Sequence, residues 1–169
     1  MFQATAVAVV TSAVISRIEV KGLMLDNNRL TNLQPPPSPR PSLVGIWSYA
    51  ALDKNGLVCD FASGSGGHIT NRRHAEYYAL IQALCYVQSQ GLREIPIRIA
   101  QRATWLDLIG KHHPSGPLLP LYGQVRRLIM ATECLIEWQP GGACTINAAQ
   151  FAWWLYKQLS QSQSQSQEQ

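Results

Sequence analysis

Acidic residues are scarce in this chain. It has ten carboxylates among 169 residues: Asp26, Asp53, Asp60, Asp107, Glu19, Glu76, Glu94, Glu133, Glu137 and Glu168. Charged residues make up 14% of the sequence, against roughly 25% in an average soluble domain, so any site that needs clustered acids must draw on those ten. Cysteines are also few. Cys59, Cys85, Cys134 and Cys144 form no CxxC and no Cys/His pair at metal-ligand spacing, and three of them lie in apolar runs where cysteine behaves as a small hydrophobe. That pattern excludes a zinc ribbon and a disulfide scaffold, and it reads as a reduced, intracellular, cytoplasmic protein. The longest apolar-leaning stretch, residues 4–15, is too short to span a bilayer and lacks the basic start of a secretory signal. A glycine-rich phosphate loop, a nucleophile elbow and a Cys/His dyad are absent as motifs.

The basic residues are ten Arg and four Lys, for a net charge of +4. Arginine's planar fork suits phosphate or carboxylate, so a nucleic-acid partner is allowed without being required. The length fits one domain able to bury a core without metal or disulfide support.

Residues 4–25, rich in Val, Ile, Ala and Thr, read as one or two strands ending at the polar turn Asp26-Asn-Asn28. Residues 34–42 hold a run of prolines that forbids helix and ladder and favours an extended connector. Leu43 to Leu52 and Leu57 to Ala62 flank Asp53-Lys-Asn-Gly56, a hairpin signal. Ser63-Gly-Ser-Gly-Gly67 reads as flexible or bulged. Thr70 or Asn71 can cap a helix from Arg72 to Gln90 that stops at Gly91. Ile95, Ile97 and Ile99 alternate as a strand, a short helix spans Thr104 to Ile109, and Lys111 to Pro117 is a loop. Leu118 to Ala131 is an amphipathic helix, Cys134 to Trp138 a strand, and Ile146 to Leu159 a last helix. Residues 160–169, a Ser/Gln repeat, have too little apolar content to offset their ordering entropy and are expected to be disordered. This order predicts an α/β layer with a mixed sheet.

The stretch Thr70-Asn-Arg-Arg-His-Ala-Glu76-Tyr-Tyr-Ala-Leu-Ile-Gln-Ala-Leu84 resembles the glutamate-bearing helix of the type 1 ribonuclease H family, and the order of elements around it agrees over about residues 20 to 158. The resemblance implies a ribonuclease H-like fold with a mixed five-stranded sheet, an antiparallel hairpin plus parallel strands, flanked by helices. It divides the chain into an N-terminal strand extension at 1–20, the domain at 20–159 with its proline-rich loop at 34–42, and the tail at 160–169.

The family cuts the RNA strand of RNA/DNA hybrids with two Mg²⁺ ions held by four carboxylates. Mg²⁺ takes hard oxygen ligands, and an ion pair about 4 Å apart needs its charge balanced while it activates water and stabilises the leaving oxygen. Carried over by position, the resemblance assigns Asp26 to the first aspartate and Glu76 to the glutamate. The other two positions depart from the pattern. Where the family has an aspartate after the fourth strand, the chain reads Ala100-Gln101-Arg102; where it has Ala-Asp in the last helix, the chain reads Asn147-Ala-Ala149-Gln150. Gln101 and Gln150 thus mark lost aspartate positions, and the family's mobile histidine is missing from Pro140–Cys144. Two such swaps would set about two negative charges against a pair of dications, which weakens ion binding severely.

Arg72, Arg73 and His74 are candidates for a basic lip beside this site, with Arg102 and Lys111 along a phosphate track and Trp47, Trp105 or Tyr77 as base-stacking surfaces. The competing interpretation makes them ordinary surface charges and core aromatics. Trp153 and Trp154 project about 100° apart on a helix, so covering both needs the N-terminal segment, a protein partner or a second copy of the chain. Three functions remain open: a catalytically inactive or weak module that binds nucleic acid, whether RNA or RNA/DNA hybrid, or docks in an assembly; an active nuclease using Mg²⁺ or Mn²⁺ on Asp26 and Glu76; and a purely structural protein-interaction subunit.

Overall fold

Ile18 and Val20 alternate with Glu19 and Lys21 along Arg17–Asp26, the first strand, β1. The structure is a computed structural model and describes residues 14–26, 43–66, 69–140 and 145–166. β1 pairs antiparallel along its whole length with β2, Leu43–Leu52, which pairs antiparallel with β3, Val58–Gly66. On its other side β1 runs parallel to β4, Pro96–Ile99, and β4 parallel to β5, Leu135–Trp138. The result is one mixed five-stranded sheet in the order β3-β2-β1-β4-β5.

Helices cover both faces. α1, Arg72–Ser89, α2, Arg102–Leu108, and α3, Leu118–Thr132, lie with the larger core, in which Ile18, Val20, Leu80, Leu84, Ile97 and Ile99 are buried. Burial of an aliphatic side chain of this kind contributes about 1.5–3 kcal/mol. α4, Ile146–Ser166, crosses β1, β2 and β3, packing Ala148, Ala152 and Tyr156 on Leu23, Ile46, Ala50 and Leu52.

Local chemistry explains the element ends. The Asn71 side chain accepts the His74 N–H at 2.8 Å and caps α1. In the β2–β3 hairpin, Asp53 Oδ1 accepts the N–H groups of Asn55 and Leu57 at 2.8 and 2.9 Å.

Three sequence-level expectations are corrected here. Residues 17–20, assigned to an extension, belong to the central strand, because Ile18 and Val20 fill the core between sheet and α1. Ser63 to Gly66, read as flexible or bulged, are strand: Gly64 leaves room for the Trp47 indole lying over it, and Ser63 Oγ donates to Ser48 Oγ at 3.1 Å. Residues 160–166 continue α4, since extending a formed helix adds a hydrogen bond for each residue ordered and glutamine is a good helix former. Residues 1–13 and the proline-rich loop lie outside the described residues, as does Cys144.

Candidate functional site

Glu76 sits in the first turns of α1, and its position is fixed by a glycine on the neighbouring strand. A methyl group on Gly22 of β1 would collide with the Glu76 backbone nitrogen and stand 2.8 Å from the Arg72 carbonyl oxygen, so α1 can lie this close to β1 only over a residue without a side chain. The Glu76 carboxylate is fully buried. Its Oε1 accepts the N–H groups of Ala100 at 2.7 Å and Gln101 at 3.0 Å, and its Oε2 accepts the Thr104 hydroxyl at 2.8 Å. Glu76 thus fastens the turn between β4 and α2 to α1. Burial pushes its carboxyl up to about 7, opposed by the hydrogen bonds from Thr104, Ala100 and Gln101 and by the charge of Lys21.

Gln101 is also engaged. Its Nε2 donates to the Arg72 carbonyl oxygen at 2.7 Å, a bond that a carboxylate at this position could not make. The amide closes α1 against the start of α2, while Gln150 is exposed on the outer side of α4.

Among the described side chains, the β1 carboxylate that reaches the interior is Glu19, which sequence reasoning passed over. It faces α4: Oε2 accepts the N–H groups of Asn147 at 2.9 Å and Ala148 at 3.4 Å, and Oε1 accepts Asn147 Nδ2 at 3.1 Å. Glu19 therefore satisfies the open N–H groups at the N-terminus of α4 from a neighbouring strand. A signal was present, a lone carboxylate between Ile18 and Val20 in a strand of core residues. Asp26 is the last residue of β1, paired with Leu43. Glu19 is level with Arg98 of β4; Gly22 is where β1 meets α1 at Arg72 and Glu76, and the Asp26 backbone lies four residues, about 13 Å, farther along the strand.

The basic residues divide. Arg73 turns inward and clasps the buried Asp107 of α2, Nε to Oδ2 at 3.0 Å with a second contact from Nη2 to Oδ1. The Tyr77 hydroxyl donates to the same Oδ2 at 2.6 Å. Burial and the neighbouring Asp107 both raise the Tyr77 phenol above its ordinary range. Tyr77 has no exposed surface and cannot stack on a base. His74 is buried, with Nδ1 accepting the Thr70 N–H at 3.2 Å and its ring 5.3 Å from that of Tyr78. Arg73, half-buried, and His74, buried, thus both engage polar partners within the protein. Arg72, Arg102 and Lys111 are exposed. Arg102 lies 5.9 Å over the Trp138 ring and is next in sequence to Gln101, which bonds the Arg72 carbonyl.

Among the described residues, no group of three or more His, Cys, Asp or Glu side chains is placed to hold a metal ion, and no helix is long and apolar enough to cross a membrane. Trp153 and Trp154 are 46% and 54% exposed.

The sheet order and the three-layer packing are those of the ribonuclease H-like fold. The N-terminal ribonuclease H domain of a Mycobacterium tuberculosis protein, solved as a fusion with maltose-binding protein, superposes with a TM-score of 0.63 at 18% identity, over 89% of this chain and 98% of that one. Ribonuclease H1 from Halobacterium salinarum gives 0.57 at 18% identity over 78% and 92%. The LC11 ribonuclease H1, solved in complex with an RNA/DNA hybrid, gives 0.56 at 18% identity over 78% and 91%. A family model described as reverse transcriptase-like matches residues 45–152, and the chain belongs to that family. No curated protein matches it in sequence.

Proposed function

We propose that this chain is a nucleic-acid-binding module of ribonuclease H-like fold that does not hydrolyse its ligand. The observation that carries this reading is the state of Glu76: both of its oxygens are taken by donors from β4 and α2, and the acid expected beside it is Gln101, whose amide is committed to the Arg72 carbonyl. Mg²⁺ or Mn²⁺ needs several hard, anionic oxygens open to it. Among the described side chains the buried carboxylates Glu76, Glu19 and Asp107 are all spent as acceptors within the protein. These residues do not fit the two-ion site that the family resemblance implies.

Binding is supported by charge. Arg72, whose carbonyl takes the Gln101 amide, and Arg102, next to Gln101 in sequence, are exposed, Lys21 is near enough to Glu76 to act on its ionisation, and Lys111 follows at the far end of α2. A structural relative of the same fold has been solved on an RNA/DNA hybrid, which makes that duplex the first ligand to try.

The test combines binding and cleavage. A fluorescent RNA/DNA hybrid should bind with an affinity that falls steeply with salt, Arg72→Ala with Arg102→Ala should reduce the salt slope by about two, and the hybrid should remain intact with Mg²⁺ or Mn²⁺. Cleavage that disappears in Glu76→Gln would overturn the non-hydrolytic reading, and absence of binding at low salt would overturn the ligand. The exposure of Trp153 and Trp154 favours a second role in contact with a protein partner or another copy of the chain. If that role is self-association, sedimentation should show a dimer that Trp153→Ser with Trp154→Ser returns to monomer.

A further inference from the structure

Away from the Glu76 region, the other end of α2 borders a groove that the nucleic-acid reading leaves unused. α2, α3 and β5 meet there around a cavity of about 300 Å³ whose walls include Ile109, Arg126, Ile129, Met130, Leu135 and Ile136. Ile109, Met130 and Leu135 are 45%, 75% and 61% exposed, so a single face carries three large aliphatic side chains in water. Isolated exposed hydrophobes need no explanation, but a contiguous set around a concavity marks a binding surface.

Two further observations limit what fits. β5 is an edge of the sheet, and its sequence, Leu-Ile-Glu-Trp, has neither proline nor lysine to discourage pairing with another strand. Among the described residues, Arg126 is the only charged one lining the cavity. Its guanidinium is held by a hydrogen bond from Nη1 to the Leu108 carbonyl at 3.3 Å and by the Tyr122 ring at 6.0 Å. None of the ion pairs among the described residues involves it. Since an arginine carries five N–H donors, most of its hydrogen-bonding capacity faces whatever enters the groove.

We propose that this groove seats an extended aliphatic peptide segment bearing a carboxylate: the segment adds as a strand to the β5 edge, sets its aliphatic side chains against Ile109, Met130 and Leu135, and places its carboxylate on Arg126. Strand addition supplies main-chain hydrogen bonds that do not depend on sequence, and the groove supplies the selection. The cavity with Arg126 in its wall borders β5 and not β3, the opposite edge, which is why the proposal falls on β5.

The probe is a fluorescein-labelled peptide, Ser-Leu-Thr-Glu-Thr-Val-Gly-Ser, whose Leu, Glu and Val share one face of a strand, titrated with the full chain and followed by anisotropy. Saturable binding is expected. It should weaken at least tenfold when lysine replaces the peptide's glutamate, at least tenfold in Arg126→Ala, and be lost in Leu135→Lys. That last change adds positive charge, so the loss separates groove binding from general attraction of an acidic peptide to a basic protein. Hydrogen exchange should slow at the β5 amides when the peptide is bound. Equal binding of the lysine peptide, binding unchanged in Arg126→Ala, no saturation at millimolar protein, or no slowing at β5 would each overturn the proposal. Displacement of the peptide by decanoate alone at equal concentration would likewise overturn it, since the strand would then contribute nothing.

Discussion

Glu19 and Glu76 are both buried, but they lie on opposite faces of the sheet and fasten different joints. Glu19 reaches from β1 to the N-terminus of a 21-residue helix, where the aligned peptide dipoles favour a negative charge. Glu76 reaches from α1 to a turn and to the first residues of a seven-residue helix, and burial dominates its ionisation, pushing it up to about 7. The two carboxylates have become internal fastenings in a fold whose resemblance to ribonuclease H predicts acids that hold metal. What separates them is what each fastens: Glu19 holds the start of α4, and Glu76 holds the turn between β4 and α2.

The largest effect is expected at the glycine that lets Glu76 approach β1. Gly22→Ala drives a methyl group into the α1 backbone, which rotamer changes cannot relieve, so a loss of about 3 kcal/mol or more is expected, read as a shift in the urea midpoint. Glu76→Ala leaves two N–H groups and a hydroxyl without an acceptor and should cost about 3 kcal/mol. Glu19→Ala, which opens the start of α4, should cost about 2 kcal/mol. Because the two glutamates share no partner, the double variant should lose the sum of the two within about 0.5 kcal/mol. A clear departure would mean that the two joints are one network.

Glu76→Gln sharpens the comparison through pH. The carboxyl ionises at 4.5 when unfolded and at about 7 in the folded chain, so the folded state holds its proton more tightly. Its contribution to stability is intact below pH 4.5, declines as pH rises toward about 7, and is lost above that. Subtracting the stability curve of Glu76→Gln from that of the wild type should isolate a decline of about 2 kcal/mol between pH 5 and pH 8. A flat difference would show that the hydrogen bonds from Ala100, Gln101 and Thr104 fully offset burial. The smallest effect is expected at Arg72→Ala with Arg102→Ala, less than about 0.5 kcal/mol in stability, with the change confined to nucleic-acid affinity.

Much of the fold could be read from residue order. The Asp53–Gly56 hairpin, the Asn71 cap, the alternation of Ile95, Ile97 and Ile99, and the apolar circumference of α1 each rest on contacts within a few residues. The candidate site was less legible because its partners are far apart in sequence. Arg73 looked like a surface cation until Asp107, 34 residues later, was placed beside it, and Glu19 finds Asn147 across 128 residues. The parallel pairing of β1 with β4, which sets Glu19 level with Arg98, is likewise a long-range feature that no local pattern announces.

In the function proposed above, Glu76 serves as an internal acceptor and not as a metal ligand. The most direct measurement is a Mn²⁺ titration of the full chain at pH 8, with free ion followed by electron paramagnetic resonance, in wild type and Glu76→Gln. The account predicts no stoichiometric uptake below about 1 mM Mn²⁺ in either protein. Uptake of one or two ions by the wild type, lost in Glu76→Gln, would contradict it.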